Sequence, residues 1–266
     1  MKTTTKTIRL AKGNRPLVCL TAYDTVTARI GDQGGADLLL VGDSVGNTIL
    51  GFDSSVSVTL DMMLHHTAAV ARAKPAALVV ADIPFGVAHD DFPALLQACV
   101  RLMQAGAEAV KIEGGVALAP AIARLVAAGV PVCGHVGLQP QQVRQLGGYK
   151  KFGAKDGECA AVQADALAVE QAGVFAVVGE MLTPALAGAV RAALSVPLIG
   201  IGSGEDCDGQ ILVIHDLLGL TENPPGFAKP FAQLGAVAIG AVAGWAASVR
   251  GISAVAQAEG SAKIKN

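Results

Sequence analysis

Eight short apolar runs, each followed by a segment of helical length, most constrain what this chain can fold into. They are PLVCLTA (16–22), DLLLVG (37–42), ALVVA (77–81), AVKI (109–112), VPVCG (130–134), VFAVVG (174–179), VPLIGIG (196–202) and ILVI (211–214). Each is too short for a helix, and its near-continuous apolar character suits a parallel strand buried on both faces. An Ala-Gly or Gly-Gly pair precedes the second, fourth, fifth and sixth runs, as repeated helix-to-strand turns require. Between the runs lie amphipathic segments with recognisable ends. Residues 25–33 form a helix closed by Gly34 and Gly35, Thr59 caps a helix through about Arg72 with Asp61 in its first turn, and Thr183-Pro184 opens another. Eight strand–helix repeats in 266 residues leave no room for a separate domain. The pattern predicts one (β/α)₈ barrel, with a short amino-terminal segment and closing carboxyl-terminal helices.

A second regularity bears on function. Asp43, Asp82, Glu113, His135 and Glu180 each stand at the carboxyl end of a different predicted strand. In a barrel those ends meet around one rim, where active sites of this fold lie. A single Asp in such a place is commonly a helix cap. Several acids gathered at one rim need a counter-charge, and a hard divalent cation supplies it. With oxygen donors and no Cys–His ligand set, Mg²⁺ fits better than Zn²⁺.

Lys111 shares a strand face with Glu113, so it either pairs with a rim acid or meets an anionic substrate. Glu180 follows an almost wholly apolar strand, and such surroundings raise a carboxylate's pKa toward the range of a general base. His135 reads equally as a hydrogen-bonded barrel residue or a catalytic one. His65 and His66 fall inside a helix and read as packing or surface residues. The run GIGSG (200–204) reads as a tight turn before a phosphate cradle.

Composition sets the outer limits. Net charge is −2 with no basic block, which argues against a nucleic-acid partner. Hydrophobic residues make up 52% and charged residues only 16%, fewer than a core of this size explains, so other subunits are expected to cover some surface. The longest uncharged run, 234–249, is shorter than a membrane span and rich in Gly and Ala, and reads as a helix packed closely against protein. Five scattered cysteines with no CxxC, and a polar amino terminus, point to reduced thiols in the cytoplasm.

TAYD (21–24), VGDSVG (41–46), GFDSSVSVT (51–59), HTAAV (66–70), VKIEGG (110–115), PVCGHVGLQPQ (131–141), GGYK (147–150), PLIGIGSG (197–204) and DGQILVIHDLLGL (208–220) together resemble the ketopantoate hydroxymethyltransferase family, in order from about residue 4 to 231. The resemblance implies a Mg²⁺-dependent barrel enzyme that adds a hydroxymethyl group from 5,10-methylenetetrahydrofolate to 3-methyl-2-oxobutanoate in pantothenate biosynthesis. It implies Asp43, Asp82 and Glu113 as metal residues, Asp43, Ser44, Asp82 and Lys111 as substrate contacts, Glu180 as the base, and a homodecamer as the assembly. The chain departs from the family pattern around Glu180, where Gly179 replaces the usual Leu and Pro184 comes late. It also departs at Phe52, at Ser57 and in the carboxyl tail AEGSAKIKN. Two rival readings are a Mg²⁺-dependent carbon–carbon lyase or mutase of the isocitrate-lyase kind and a non-catalytic barrel that binds a keto acid. The lyase would want a catalytic cysteine loop or a phosphate clamp, and neither is evident in the sequence.

Overall fold

The computed structural model describes residues 2–155 and 157–251; the tail AEGSAKIKN lies outside them. Eight parallel strands close into a barrel in chain order. They are β1 Leu17–Thr21, β2 Leu38–Val41, β3 Leu78–Asp82, β4 Ala109–Glu113, β5 Val132–Gly137, β6 Ala176–Glu180, β7 Leu198–Ile201 and β8 Gly209–Leu212. The helices, in order, are α1 Thr5–Leu10, α2 Thr25–Gln33, α3 Val45–Thr48, α4 Leu60–Ala71, α5 Phe92–Gln104, α6 Ala119–Ala127, α7 Val143–Leu146, α8 Glu158–Gln171, α9 Pro184–Ala193, α10 Ile214–Leu217 and α11 Leu234–Val249. The chain divides into two compact units, one ending at Ile214 and the other starting at His215. The barrel occupies the first.

The expected helix starts are present in atomic detail. Asp24, Thr59, Asp91 and Thr183 each accept a hydrogen bond from a backbone N–H three residues on, satisfying a donor that the first helical turn leaves free. Asp24 and Thr27 complete a reciprocal capping box on α2.

Alternation along each strand sends every second side chain into the barrel. At the lower level these are apolar: Leu38 and Leu40, Leu78 and Val80, Ala109, Cys133, Ala176 and Val178, Ile199 and Ile211 share one buried cluster. Ile8 and Ala11, from α1 and the residue that ends it, belong to the same cluster, so the amino-terminal segment plugs one mouth of the barrel. Following the same parity toward the carboxyl ends, the inward positions become Asp82, Lys111, Glu113, His135 and Glu180. The register places Asp82 beside Lys111, Glu113 beside His135, and Gly137 beside Glu180. An apolar floor thus carries a polar rim, and both come from one two-residue period.

The expectation for the eighth strand changes. The eighth strand starts two residues early, at Gly209, and ends at Leu212 rather than running to 214. A Cβ at position 209 would lie 2.5 Å from the Leu17 carbonyl oxygen, so only glycine lets the closing strand pair there. Ile214 N donates to Thr21 Oγ1 at 3.1 Å and begins a helical turn, which puts His215 and Asp216 on α10 instead of a strand end. Gly42 is needed for space, since a Cβ there would stand 2.8 Å from Ser44 Oγ. Over residues 234–249 α11 forms as expected, with an apolar surface. Val237, Ile239, Val242, Trp245 and Val249 are each at least 64% exposed.

Candidate active site

The loop after β2 enters the rim first. Asp43 is 5% exposed, and its backbone N–H donates to Asp82 Oδ2 at 3.0 Å, which ties the second and third strand ends together. Ser44 is half-buried, and its hydroxyl is held 2.8 Å from the Tyr23 hydroxyl. Tyr23 is buried, which pushes its pKa up to about 12, so the phenol stays protonated.

Lys111 sits at the centre. Its ammonium lies 2.9 Å from Asp82 Oδ1, 3.9 Å from Glu113 Oε1 and 3.0 Å from His135 Nδ1. Burial alone lowers a lysine pKa, but three surrounding carboxylates outweigh it and hold this one above its ordinary value. The ammonium is therefore a fixed positive charge. For Lys111 the internal ion pair is real, and it leaves the ammonium at the rim beside Asp82.

One ammonium does not balance the acids around it. Burial, then the charges of Asp82 and Glu113, push the Asp43 pKa up to about 8 against the pull of Lys111 and Gln141. Burial also raises that of Asp82. Glu113 goes the other way, because His135, Lys111 and the Gln141 N–H stabilise its anion beyond the cost of burial. The donor set is all oxygen and carries more negative charge than Lys111 neutralises, which fits a hard cation such as Mg²⁺. Among the described residues no three His, Cys, Asp or Glu side chains enclose an ion by themselves. A cation held here takes its remaining positions from water or substrate, as Mg²⁺ ordinarily does.

His135 lies within β5 and faces the barrel interior. Its Nε2 is 3.3 Å from Glu180 Oε2, and its Nδ1 is 3.5 Å from Glu113 Oε1. Burial and Lys111 push its pKa down, Glu113 and Glu180 push it up, and the balance lies above the ordinary value. Geometry decides the tautomer at the Lys111 contact. An ammonium only donates, so in the neutral ring Lys111 donates to the Nδ1 lone pair and the ring proton sits on Nε2, 3.3 Å from Glu180 Oε2. The Glu180 side chain is 13% exposed, against 3% for Glu113, so it is the acid most open to a ligand in the mouth.

The rim positions predicted at strand ends thus converge: Asp43, Ser44, Asp82, Lys111, Glu113, His135 and Glu180 form one connected group. His65 is exposed on α4, while the ring of His66 reaches the Tyr23 carbonyl oxygen at 2.7 Å and braces the strand end behind Ser44.

Two residues given no role in the sequence organise the group. Gln141 donates through Nε2 to Asp43 Oδ2 and to the Ile83 carbonyl, both at 2.9 Å, while its backbone N–H donates to Glu113 Oε2 at 3.1 Å. It bridges two acids 70 residues apart, and only Pro140, which opens the short 3₁₀ turn Pro140–Gln142, marked its place. Ser203 sits between Gly202 and Gly204, both with positive φ, so GIGSG forms a tight turn. Its hydroxyl, however, is fully buried against β6.

A protein-family model for ketopantoate hydroxymethyltransferase matches residues 2–253. A 3-methyl-2-oxobutanoate hydroxymethyltransferase of Pyrobaculum calidifontis is 48% identical over 240 residues, covering 90% of this chain and 91% of its own length. One from Hyperthermus butylicus is 49% identical over 243 residues, covering 91% and 84%. Among solved structures, phosphonopyruvate hydrolase in complex with oxalate and Mg²⁺ superposes with a TM-score of 0.63 at 16% identity, over 94% of this chain and 87% of that one. That likeness concerns the barrel fold alone. The family match over nearly the whole chain, and relatives close to half identical, establish that this chain belongs to the ketopantoate hydroxymethyltransferase family.

Proposed function

We propose that this chain transfers a hydroxymethyl group to 3-methyl-2-oxobutanoate, with 5,10-methylenetetrahydrofolate as the carbon donor and Mg²⁺ as the resident cation. The observation that carries the reading is the joining of a carboxylate pair, a fixed ammonium and a more open glutamate at one mouth of the barrel. Asp43 and Asp82, adjacent through the Asp43 N–H, would hold Mg²⁺, and Glu113 adds a third negative charge to the same group. When bound, the cation supplies a Lewis acid toward the keto and carboxylate oxygens of the substrate.

The chain's own groups perform the remaining work. Ser44, its hydroxyl oriented by Tyr23, and the Lys111 ammonium present a donor and a positive charge to an anionic keto acid. Glu180 removes the C3 proton, with His135 Nε2 lying 3.3 Å from its carboxylate oxygen. Lys111 lies where positive charge stabilises the enolate that proton removal creates. The enolate carbon bonds to the one-carbon unit, water supplies the hydroxyl oxygen, and the C–N bonds to the carrier break so that tetrahydrofolate leaves.

The same reading makes the enzyme cytoplasmic, in keeping with five free cysteines, and a large homo-oligomer. The exposed apolar residues of α11 support assembly, because a face of this kind is ordinarily covered by protein. No helix among the described residues is long and apolar enough to cross a membrane.

Proton exchange in D₂O tests the chemistry. Incubation with 3-methyl-2-oxobutanoate and Mg²⁺ is expected to exchange the C3 proton, and Glu180→Gln to abolish exchange while keto-acid binding survives. Exchange at the wild-type rate in Glu180→Gln would assign the base elsewhere.

A further inference from the structure

The backbone next to Glu180 adopts a conformation that its sequence does not favour. Met181 has φ of +52°, one of two non-glycine residues with positive φ among the described residues. A side chain in the left-handed region is strained and persists only where neighbours hold it. Here the neighbours are identifiable. Met181 N donates to the Ile201 carbonyl at 2.9 Å, Leu138 N to the Glu180 carbonyl at 2.9 Å, and Phe152 N to the Met181 carbonyl at 2.7 Å.

The side-chain restraint comes from Ser203, which is 0% exposed. Its hydroxyl accepts from Leu182 N at 3.0 Å and lies 2.7 Å from the Gly179 carbonyl and 3.1 Å from that of Ile201. A hydroxyl has one proton, and the shorter distance assigns it to Gly179. One atom of the β7–β8 turn thus grips the chain immediately before Glu180 and immediately after Met181. We propose that Ser203 is the positioning residue for Glu180: by spanning the left-handed turn, its hydroxyl fixes the direction in which the glutamate leaves β6 and keeps it against His135 Nε2.

The inference rests on Glu180 being the base, and it assigns the altered turn of this chain a device of its own. The bonds that Ser203 makes are to backbone groups, so alanine removes the clamp without touching the ligand-facing side chains. A carboxylate misplaced by a fraction of an ångström from its proton loses rate rather than affinity.

The test is Ser203→Ala in the full chain, assayed by C3 proton exchange in D₂O at saturating Mg²⁺ and well below the melting temperature. The expected result is a fall in kcat of about ten-fold or more with KM for the keto acid within about two-fold of wild type. Adding Met181→Gly, which removes the strain that the clamp opposes, is expected to recover most of the lost rate. An unchanged kcat, an equal loss in affinity, or no recovery in the double variant overturns the inference. Should Ser203→Ala fail to fold, Ser203→Cys replaces it: an intermediate rate with unchanged KM supports the clamp, and a wild-type rate overturns it. Glu180→Gln, run alongside, separates the two readings. Persistent exchange there sinks the base assignment, whereas loss there with an unaffected Ser203→Ala sinks only the clamp.

Discussion

Lys111 shows how far one residue's partners govern the site. Its ammonium offsets two buried carboxylates directly, Asp82 at 2.9 Å and Glu113 at 3.9 Å, and it lies 3.0 Å from His135 Nδ1. Removing one member of a buried pair leaves charge with nothing to balance it, which costs about 3–5 kcal/mol. Lys111→Met is therefore expected to lower stability by that amount in urea unfolding at pH 7 and to remove keto-acid binding in calorimetry. Gly137 is a second residue with no freedom. Its φ is +89°, and a Cβ there would collide with the carbonyl oxygen of Glu180. Gly137→Ala is expected to cost at least about 2 kcal/mol and to reduce exchange activity, read from melting curves and the D₂O assay, since both strain and collision fall beside the base.

At the scale of elements, Asp208 joins three of them. Its carboxylate takes Lys12, just beyond α1, at 2.8 Å, Arg191 of α9 at 2.9 Å, and the backbone N–H of Leu198 in β7 at 3.0 Å. Burial raises its pKa, but these donors outweigh burial and hold it below the usual carboxylate value. The sign follows from linkage. A depressed folded-state pKa gives stability that is present above the unfolded value near 4 and is lost as pH falls through the folded one. Wild-type melting temperature is expected to drop steeply below about pH 4, whereas Asp208→Asn is expected to be less stable at pH 7 and flatter over that range. The helix caps are smaller local devices. Thr59→Ala removes the acceptor for Met62 N and is expected to cost about 1 kcal/mol in thermal unfolding, with site geometry unaffected.

For the whole molecule, the unusual element is α11. Trp245 is 70% exposed and Ile239 is 73% exposed, on a helix with no charged residue from 234 to 249. Such a surface left in water associates with something. Light scattering after size exclusion is expected to find a multi-subunit assembly. The pair Val242→Asp and Trp245→Asp is expected to shift it toward smaller species, by placing charge where an apolar contact has to form. An unshifted assembly would move the subunit contact to another surface.

How much of this was legible follows from the range over which each cause acts. Strand number, strand order and the barrel follow from local apolar runs and turn residues, because a run buried on both faces has few partners other than a parallel neighbour. The rim also follows. Once strands run parallel, residues such as Asp82, Glu113 and Glu180 meet at one end wherever they lie in the chain. The closing strand was misplaced because its start depends on Gly209 admitting Leu17, a contact across almost 200 residues that no local pattern encodes. Gln141 and Ser203 escaped for the same reason. Glutamine and serine in loops are ordinary until their hydrogen bonds are seen to end on Asp43, on Glu113 and on either side of Glu180. By itself the sequence determined which residues reach the rim, since periodicity and strand direction are local properties. Only the tertiary structure decided what each of them faces, because the side chain that balances a buried charge or holds a strained turn is chosen by distance in space, and distance in sequence does not report it.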